Sequence, residues 1–155
     1  QGDMPLVHPQ CLEELIGPFK DKNVLFTDLM CPIYACEEED NPNVVKVVVD
    51  QKKDALYYSR EPLPSRRKIS AEVKMICYKQ LGINAYRSES LKLFASLART
   101  PLERIESVDM LRLLESGYSV RMVNFDYPCI GVDTQDDLKK AESLMQQDEF
   151  YRKYA

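Results

Sequence analysis

A chain of 155 residues, 45% hydrophobic and 30% charged, has enough apolar material for one packed domain and too little length for two. Its formal net charge of −4, with acids scattered along it, offers no basic surface and weighs against a nucleic-acid partner. No apolar run approaches the ~20 residues of a membrane helix, and no signal peptide is recognisable, so no membrane association is expected. The five cysteines, Cys11, Cys31, Cys36, Cys77 and Cys129, are odd in number and form no CxxC pair. With His8 the single histidine, they read as buried thiols of a reducing cytoplasm rather than as a zinc site.

The opening stretch QGDMP describes a turn: Gly2 tolerates positive φ, Asp3 can bond its own downstream backbone, and Pro5 fixes the exit. Asp3 closes that turn or serves as a metal-binding carboxylate, and these residues alone leave both readings open. His8 to Lys20 reads as a helix with Cys11, Leu12, Leu15, Ile16 and Phe19 on one side. Asn23 to Leu29 is strand-like, and the acidic CEEEDNPN after it reads as a solvated connection. Val44–Val49 and Ala55–Ser59 are two β-rich runs joined by a polar turn, which predicts a hairpin.

EPLPSRRKISAE is a Pro- and Arg-rich loop without periodicity, suited to a mobile segment or to contact with a partner. Val73 to Arg87 is β-prone, with Gly82 marking a bend or bulge. Ser88 is placed to cap a helix through Ala98, with Leu91, Phe94 and Leu97 on its apolar face. Thr100-Pro101-Leu102-Glu103 starts another helix with a capping box, directing Leu102, Ile105, Val108, Leu111 and Leu114 inward until Gly117. YSVRMVNF is a further strand, and Asp136 to Gln147 a last amphipathic helix.

GVDTQDDLKKAE reads first as a helix N-terminus, capped by Asp133 or Thr134, with acids favouring the positive dipole end. Its second reading, behind the first on these residues alone, is as the source of another carboxylate, Asp133, that would meet Asp3 across a sheet. Two oxygen ligands from distant segments are a common way to hold magnesium in phosphoryl chemistry. The alternation of elements is α/β, and the hairpin predicts a mixed sheet. QGD resembles the turn leaving a central strand, at the carboxyl ends where α/β sheets gather their ligands. That strand is not among these 155 residues.

QGDMP, NPNVVKVVVDQKKDALYYSREPLP, KQLGINAYR, TPLERIESVDMLRLLESG and GVDTQDDLKKAE occur in the order and approximate spacing of one family. The chain resembles the 3-deoxy-manno-octulosonate cytidylyltransferases over nearly all of its length, and specifically their later portion. The resemblance implies a three-layer α/β/α nucleotidyltransferase-type fold, incomplete at its N-terminal side. Residues 1–155 would form the C-terminal, sugar- and metal-binding portion of one cytidylyltransferase domain. It implies transfer of CMP from CTP to an acidic eight-carbon sugar for lipopolysaccharide synthesis, with Mg2+ as cofactor and a homodimer as the assembled form. Asp3 and Asp133 fall on the family's magnesium aspartates and are the expected catalytic pair. Gln1, Arg60, Gln80 and Glu106 fall at its sugar site.

The chemistry of each assignment is sound. A guanidinium at Arg60 matches a sugar carboxylate with two parallel charged hydrogen bonds. Glutamine and glutamate suit polyol hydroxyls. Arg60 also fits a surface charge at a strand end, and Glu106 an exposed helix position.

Three departures bear on the sugar. Met4 stands in place of the usual glutamate, Gln80 in place of a histidine, and Met110 in place of a glutamine. The family's ARxxSxRxPGK nucleotide loop has no counterpart here, so this chain alone is expected to lack turnover. Two alternatives stay open: a cytidylyltransferase for another acidic sugar, and a non-catalytic remnant that binds a sugar or dimerises.

Overall fold

A computed structural model describes residues 3–34, 36–65, 77–126, 131–132 and 134–154. Its core is a five-stranded sheet in the order β3-β2-β4-β1-β5. The strands are β1 (Phe26–Pro32), β2 (Lys46–Val49), β3 (Ala55–Ser59), β4 (Tyr78–Tyr86) and β5 (Arg121–Asn124). β1 runs parallel to β5 and antiparallel to β4, and β2 is antiparallel to both β3 and β4, so the sheet is mixed as expected.

Alternation along β1 feeds both faces. Phe26 and Met30 enter one apolar cluster, and Leu29 and Cys31 enter the other. The first cluster is sealed by α3 (Ser88–Ser96), α4 (Pro101–Glu106) and α5 (Met110–Glu115), through Leu93, Phe94, Leu102, Leu111 and Leu113. The second is sealed by α1 (Pro9–Ile16), through Cys11 and Leu15. A sheet covered on both faces is the α/β/α arrangement, and it explains why β1 is buried along nearly its whole length.

The predicted hairpin is present, with β2 and β3 joined by a turn in which Lys53 takes φ 68°. Gly82 takes φ 69° opposite a register shift in β1 between Asp28 and Met30, so the predicted bend is a bulge that needs glycine.

Several expectations change. The single helix over His8–Lys20 is α1 followed by a 3-10 turn at Gly17–Lys20, because Pro18 cannot continue the α-helical bonding. CEEED is a short helix, α2 (Cys36–Asp40), not a loop. Arg87 rather than Ser88 is the N-cap of α3, and Leu91 is exposed. A further helix, α7 (Glu149–Tyr154), follows α6 (Gln135–Met145).

The largest correction concerns the helix expected from Thr100 to Gly117. It breaks at Ser107, whose φ of 54° ends α4 before α5 begins. The break turns Ile105 out to 76% exposure, whereas Glu103 is buried and ion-paired with Arg112. Arg112 stacks 4.4 Å over the Phe94 ring. Residues 66–76 of the Pro/Arg loop and its continuation, together with Cys129, lie outside the described residues.

Candidate functional site

A cleft of about 730 Å³ opens beside β4, within the range of small-molecule sites. Lys79, Gln80, Gly82 and Asn84 of β4 form its floor. Asn41, Asn43, Val44 and Val45, with Glu38 of α2, form one wall, and Ser107, Val108 and Asp109 form another. Asp3, Met4, Gly131 and the first turns of α6 close the remaining side.

The segment ends meet there for a local reason. The backbone N–H of Val132 donates to the carbonyl of Asp3 at 2.8 Å, and a side chain on Gly131 would sit 3.7 Å from the Met4 sulfur. One step further along, Thr134 caps α6: its hydroxyl accepts from the Asp137 N–H, and the Asp137 carboxylate accepts the Thr134 N–H. The capping expected of Asp133 or Thr134 therefore belongs to Thr134. Asp133 and Gln1 lie outside the described residues.

Arg60 and Glu106 do not line this cleft; they stand behind its rim. The Arg60 guanidinium donates to the carbonyls of Pro42 at 2.9 Å, Glu106 at 2.7 Å and Ser107 at 3.4 Å. The Glu106 carboxylate accepts from the Tyr57 hydroxyl, the Ser59 hydroxyl and the Arg60 N–H. Burial pushes the Glu106 carboxyl up, but the bonds from Arg60, Ser59 and Tyr57 outweigh it and hold the group below its usual value. Lys46, fully buried, reinforces the same rim by donating to the carbonyls of Asn41, Val44 and Arg60.

Gln80 is on the floor of the cleft. Its Nε2 donates at 2.7 Å to Oδ2 of Asp28, a fully buried carboxylate that also accepts from the Tyr58 hydroxyl at 3.1 Å. Burial raises the Asp28 carboxyl well above its ordinary value. Met110, at the position of a family glutamine, is buried in the core.

The polar lining is rich in side-chain amides and carboxylates, with Lys79 and Lys140 as the described cations. Glu38 pairs with Lys79, and Asp137 is engaged by Thr134. The Asp3 carboxylate has no hydrogen-bond or ion-pair partner among the described residues, and Asp109, whose charge acts on Arg112, is exposed on the cleft wall. Asp109 was missed in the sequence. A continuous helix would have set it on the same face as Glu106, and the break at Ser107 separates the two. Asn84 and Asp28 were missed because polar residues inside a β-run carry no signal in periodicity.

Comparison with known proteins decides the family. The cytidylyltransferase family model matches residues 1–123.

The chain belongs to the cytidylyltransferase family.

It is 41% identical over 149 residues to the 3-deoxy-manno-octulosonate cytidylyltransferase of Geobacter metallireducens, spanning 90% of this chain and 59% of the relative. The enzyme of the same name from Chlorobaculum tepidum is 38% identical over 151 residues, spanning 95% of this chain and 60% of the relative. A solved structure of CMP:2-keto-3-deoxy-manno-octonic acid synthetase complexed with CTP superposes with a TM-score of 0.84 at 38% identity. That match covers 95% of this chain and 60% of the other. This cytidylyltransferase chain thus spans about 60% of the length of the relatives it matches.

Proposed function

We propose that this chain supplies the sugar- and metal-binding portion of an enzyme that transfers CMP from CTP to 3-deoxy-manno-octulosonate and releases pyrophosphate. The observation that carries the reading is the 2.8 Å bond from the Val132 N–H to the Asp3 carbonyl. It draws Asp3 and Val132 together at one edge of a cleft lined with amides and carboxylates, a lining suited to a polyhydroxy substrate. The relatives support the choice of CTP and of the acidic sugar.

Magnesium fits the donor chemistry. The Asp3 carboxylate is an exposed hard-oxygen donor on the cleft without a partner among the described residues, and the described lining holds neither histidine nor cysteine. No three His, Cys, Asp or Glu side chains converge among the described residues, so the reading rests on two carboxylates, Asp3 and Asp133, completed by substrate and water. Magnesium held there would order the reacting oxygens and offset phosphate charge. Gln1, Gln80 and Asp109 would receive sugar hydroxyls, while Arg60 and Glu106 set the shape of the rim they face. The sugar's anomeric oxygen would then attack the α-phosphorus of CTP in line, with pyrophosphate leaving. The reading includes a cytoplasmic homodimer in lipopolysaccharide synthesis, paired through the segment around the Pro/Arg loop. No helix among the described residues is long and apolar enough to cross a membrane.

The test is titration calorimetry with the sugar and with CTP, each with magnesium, beside a pyrophosphate-release assay. Both are run on the 155-residue chain and on the chain extended by the nucleotide-loop segment of its relatives. Sugar binding by the short chain, with CTP binding and turnover only after extension, is expected. Failure of the extended chain to release pyrophosphate with this sugar while it turns over another acidic sugar would select the alternative substrate. Failure with every sugar, in a folded protein, would overturn the enzymatic reading.

A further inference from the structure

We propose that Asp28 fixes the orientation of the Gln80 side-chain amide, making position 80 a hydrogen-bond acceptor toward the cleft. A glutamine amide has an oxygen and an NH2 group at nearly equal positions, and a half-turn exchanges them. On a cleft floor such a group would serve a ligand donor or a ligand acceptor alike. Here the choice is made from behind.

One Nε2–H is committed to Asp28 Oδ2 at 2.7 Å, which leaves Oε1 as the amide's unclaimed acceptor and the second Nε2–H as its remaining donor. Turning the amide would set Oε1 against Oδ2, an acceptor already receiving the Tyr58 hydroxyl at 3.1 Å. Protonation of Asp28 does not reverse the arrangement. Its other oxygen, Oδ1, is buried without a side-chain partner among the described residues, with only the Leu29 backbone N–H acting on the carboxyl, and Oδ1 of Asn84, its cross-strand partner in the β1–β4 ladder, is likewise unpaired among them. A proton on Asp28 Oδ1 supplies a donor where two acceptors otherwise stand unsatisfied, and Oδ2 remains the acceptor that holds Gln80. Burial of the carboxyl favours this protonated form.

The two strands are fitted to the pair. β1 shifts register between Asp28 and Met30, and Gly82 adopts its positive φ between Gln80 and Asn84. Both amides line the cleft, with the carboxyl fully buried beneath. For ligand choice, the consequence is a fixed acceptor, Oε1, for a ligand hydroxyl, which an ether or keto oxygen cannot use. That consequence rests on the sugar-binding reading above; the orientation does not.

Side-chain amide NMR on the 155-residue chain tests the orientation directly. In wild type, a Gln80 Nε2 proton should exchange with solvent at least about tenfold more slowly than those of exposed Gln51 and Gln135, the factor one hydrogen bond sets. Asp28→Asn, which keeps an acceptor and is neutral, should retain that protection, and Asp28→Leu should lose it. Fast exchange in wild type, or unchanged protection in folded Asp28→Leu, would overturn the proposal. If Asp28→Leu fails to fold, the wild-type and Asp28→Asn spectra decide.

Titration with 3-deoxy-manno-octulosonate forms the second arm. Asp28→Leu should bind about tenfold more weakly and Asp28→Asn nearly as wild type, a loss the size of one hydrogen bond. Equal binding by wild type and Asp28→Leu would remove the consequence for ligand choice. A wild type that does not bind the sugar would sink the sugar-binding reading, with the exchange data still deciding the orientation.

Discussion

Arg60 and Glu106 hold each other twice: the Arg60 N–H donates to Glu106 Oε2 at 2.9 Å, and the Arg60 Nε–H donates to the Glu106 carbonyl at 2.7 Å. The end of β3 is thereby fastened to the end of α4, just ahead of the Ser107 break that carries Asp109 into the cleft. Glu106→Ala leaves the Tyr57 and Ser59 hydroxyls and the Arg60 N–H without their acceptor. It should cost about 1–3 kcal/mol in urea unfolding. Glu106→Gln, which keeps one acceptor oxygen, should fall between the two.

Arg60→Lys separates the rim from the ligand. Lysine keeps the charge but can reach only part of the set formed by the Pro42, Glu106 and Ser107 carbonyls. A stability loss of about 1–2 kcal/mol is expected, with weaker sugar binding as a result of the looser wall. In the extended enzyme KM for the sugar should rise more than KM for CTP. Unchanged stability with impaired sugar binding would show that the guanidinium acts on the sugar carboxylate itself.

Thr134 and Asp133 should divide stability from chemistry. Thr134→Ala removes the cap of α6 and should cost about 0.5–2 kcal/mol. Asp133→Asn leaves that cap in place and should unfold nearly as wild type, while magnesium-dependent turnover of the extended enzyme falls by orders of magnitude. Near-normal turnover by folded Asp133→Asn would remove Asp133 from the metal site.

Asp28 and Glu106 pull the pH dependence of stability in opposite directions. The folded-state value of Asp28 lies well above the ordinary 3.8, so the native state holds more protons than the unfolded one between the two values. Its contribution is full below 3.8 and is lost as pH rises through the folded value. Glu106 lies below the ordinary 4.5, so its contribution is full above 4.5 and is lost as pH falls through the folded value. Urea midpoints measured against pH should therefore show a falling limb above pH 3.8 that Asp28→Asn flattens, and an acid limb below pH 4.5 that Glu106→Gln flattens.

Legibility tracked the physics of each signal. The hairpin, the Gly82 bulge and the α6 N-terminus were readable because turn chemistry and capping are local. The break at Ser107 was not, since the apolar spacing from Leu102 to Leu114 suits a continuous helix and only tertiary packing chooses to bury Glu103 instead of Ile105. The resemblance offered Arg60 as a guanidinium for a sugar carboxylate, but backbone carbonyls as its partners were not readable, because they leave no trace in side-chain pattern. Asp28 carried no signal at all: a carboxylate within a strand declares itself only once Gln80 and Tyr58 are seen against it.

Lys46 gives the cleft wall a built-in timer. Its ammonium is enclosed by the carbonyls of Asn41, Val44 and Arg60, and burial lowers its pKa, so an amine-reactive ester can meet it only when that segment lifts. The other lysines of the hairpin, Lys52 and Lys53, are exposed and would acylate at once. The lag between their modification and that of Lys46, tracked by mass spectrometry, counts how often the wall opens, and a ligand seated against Asn41 and Asn43 should lengthen it.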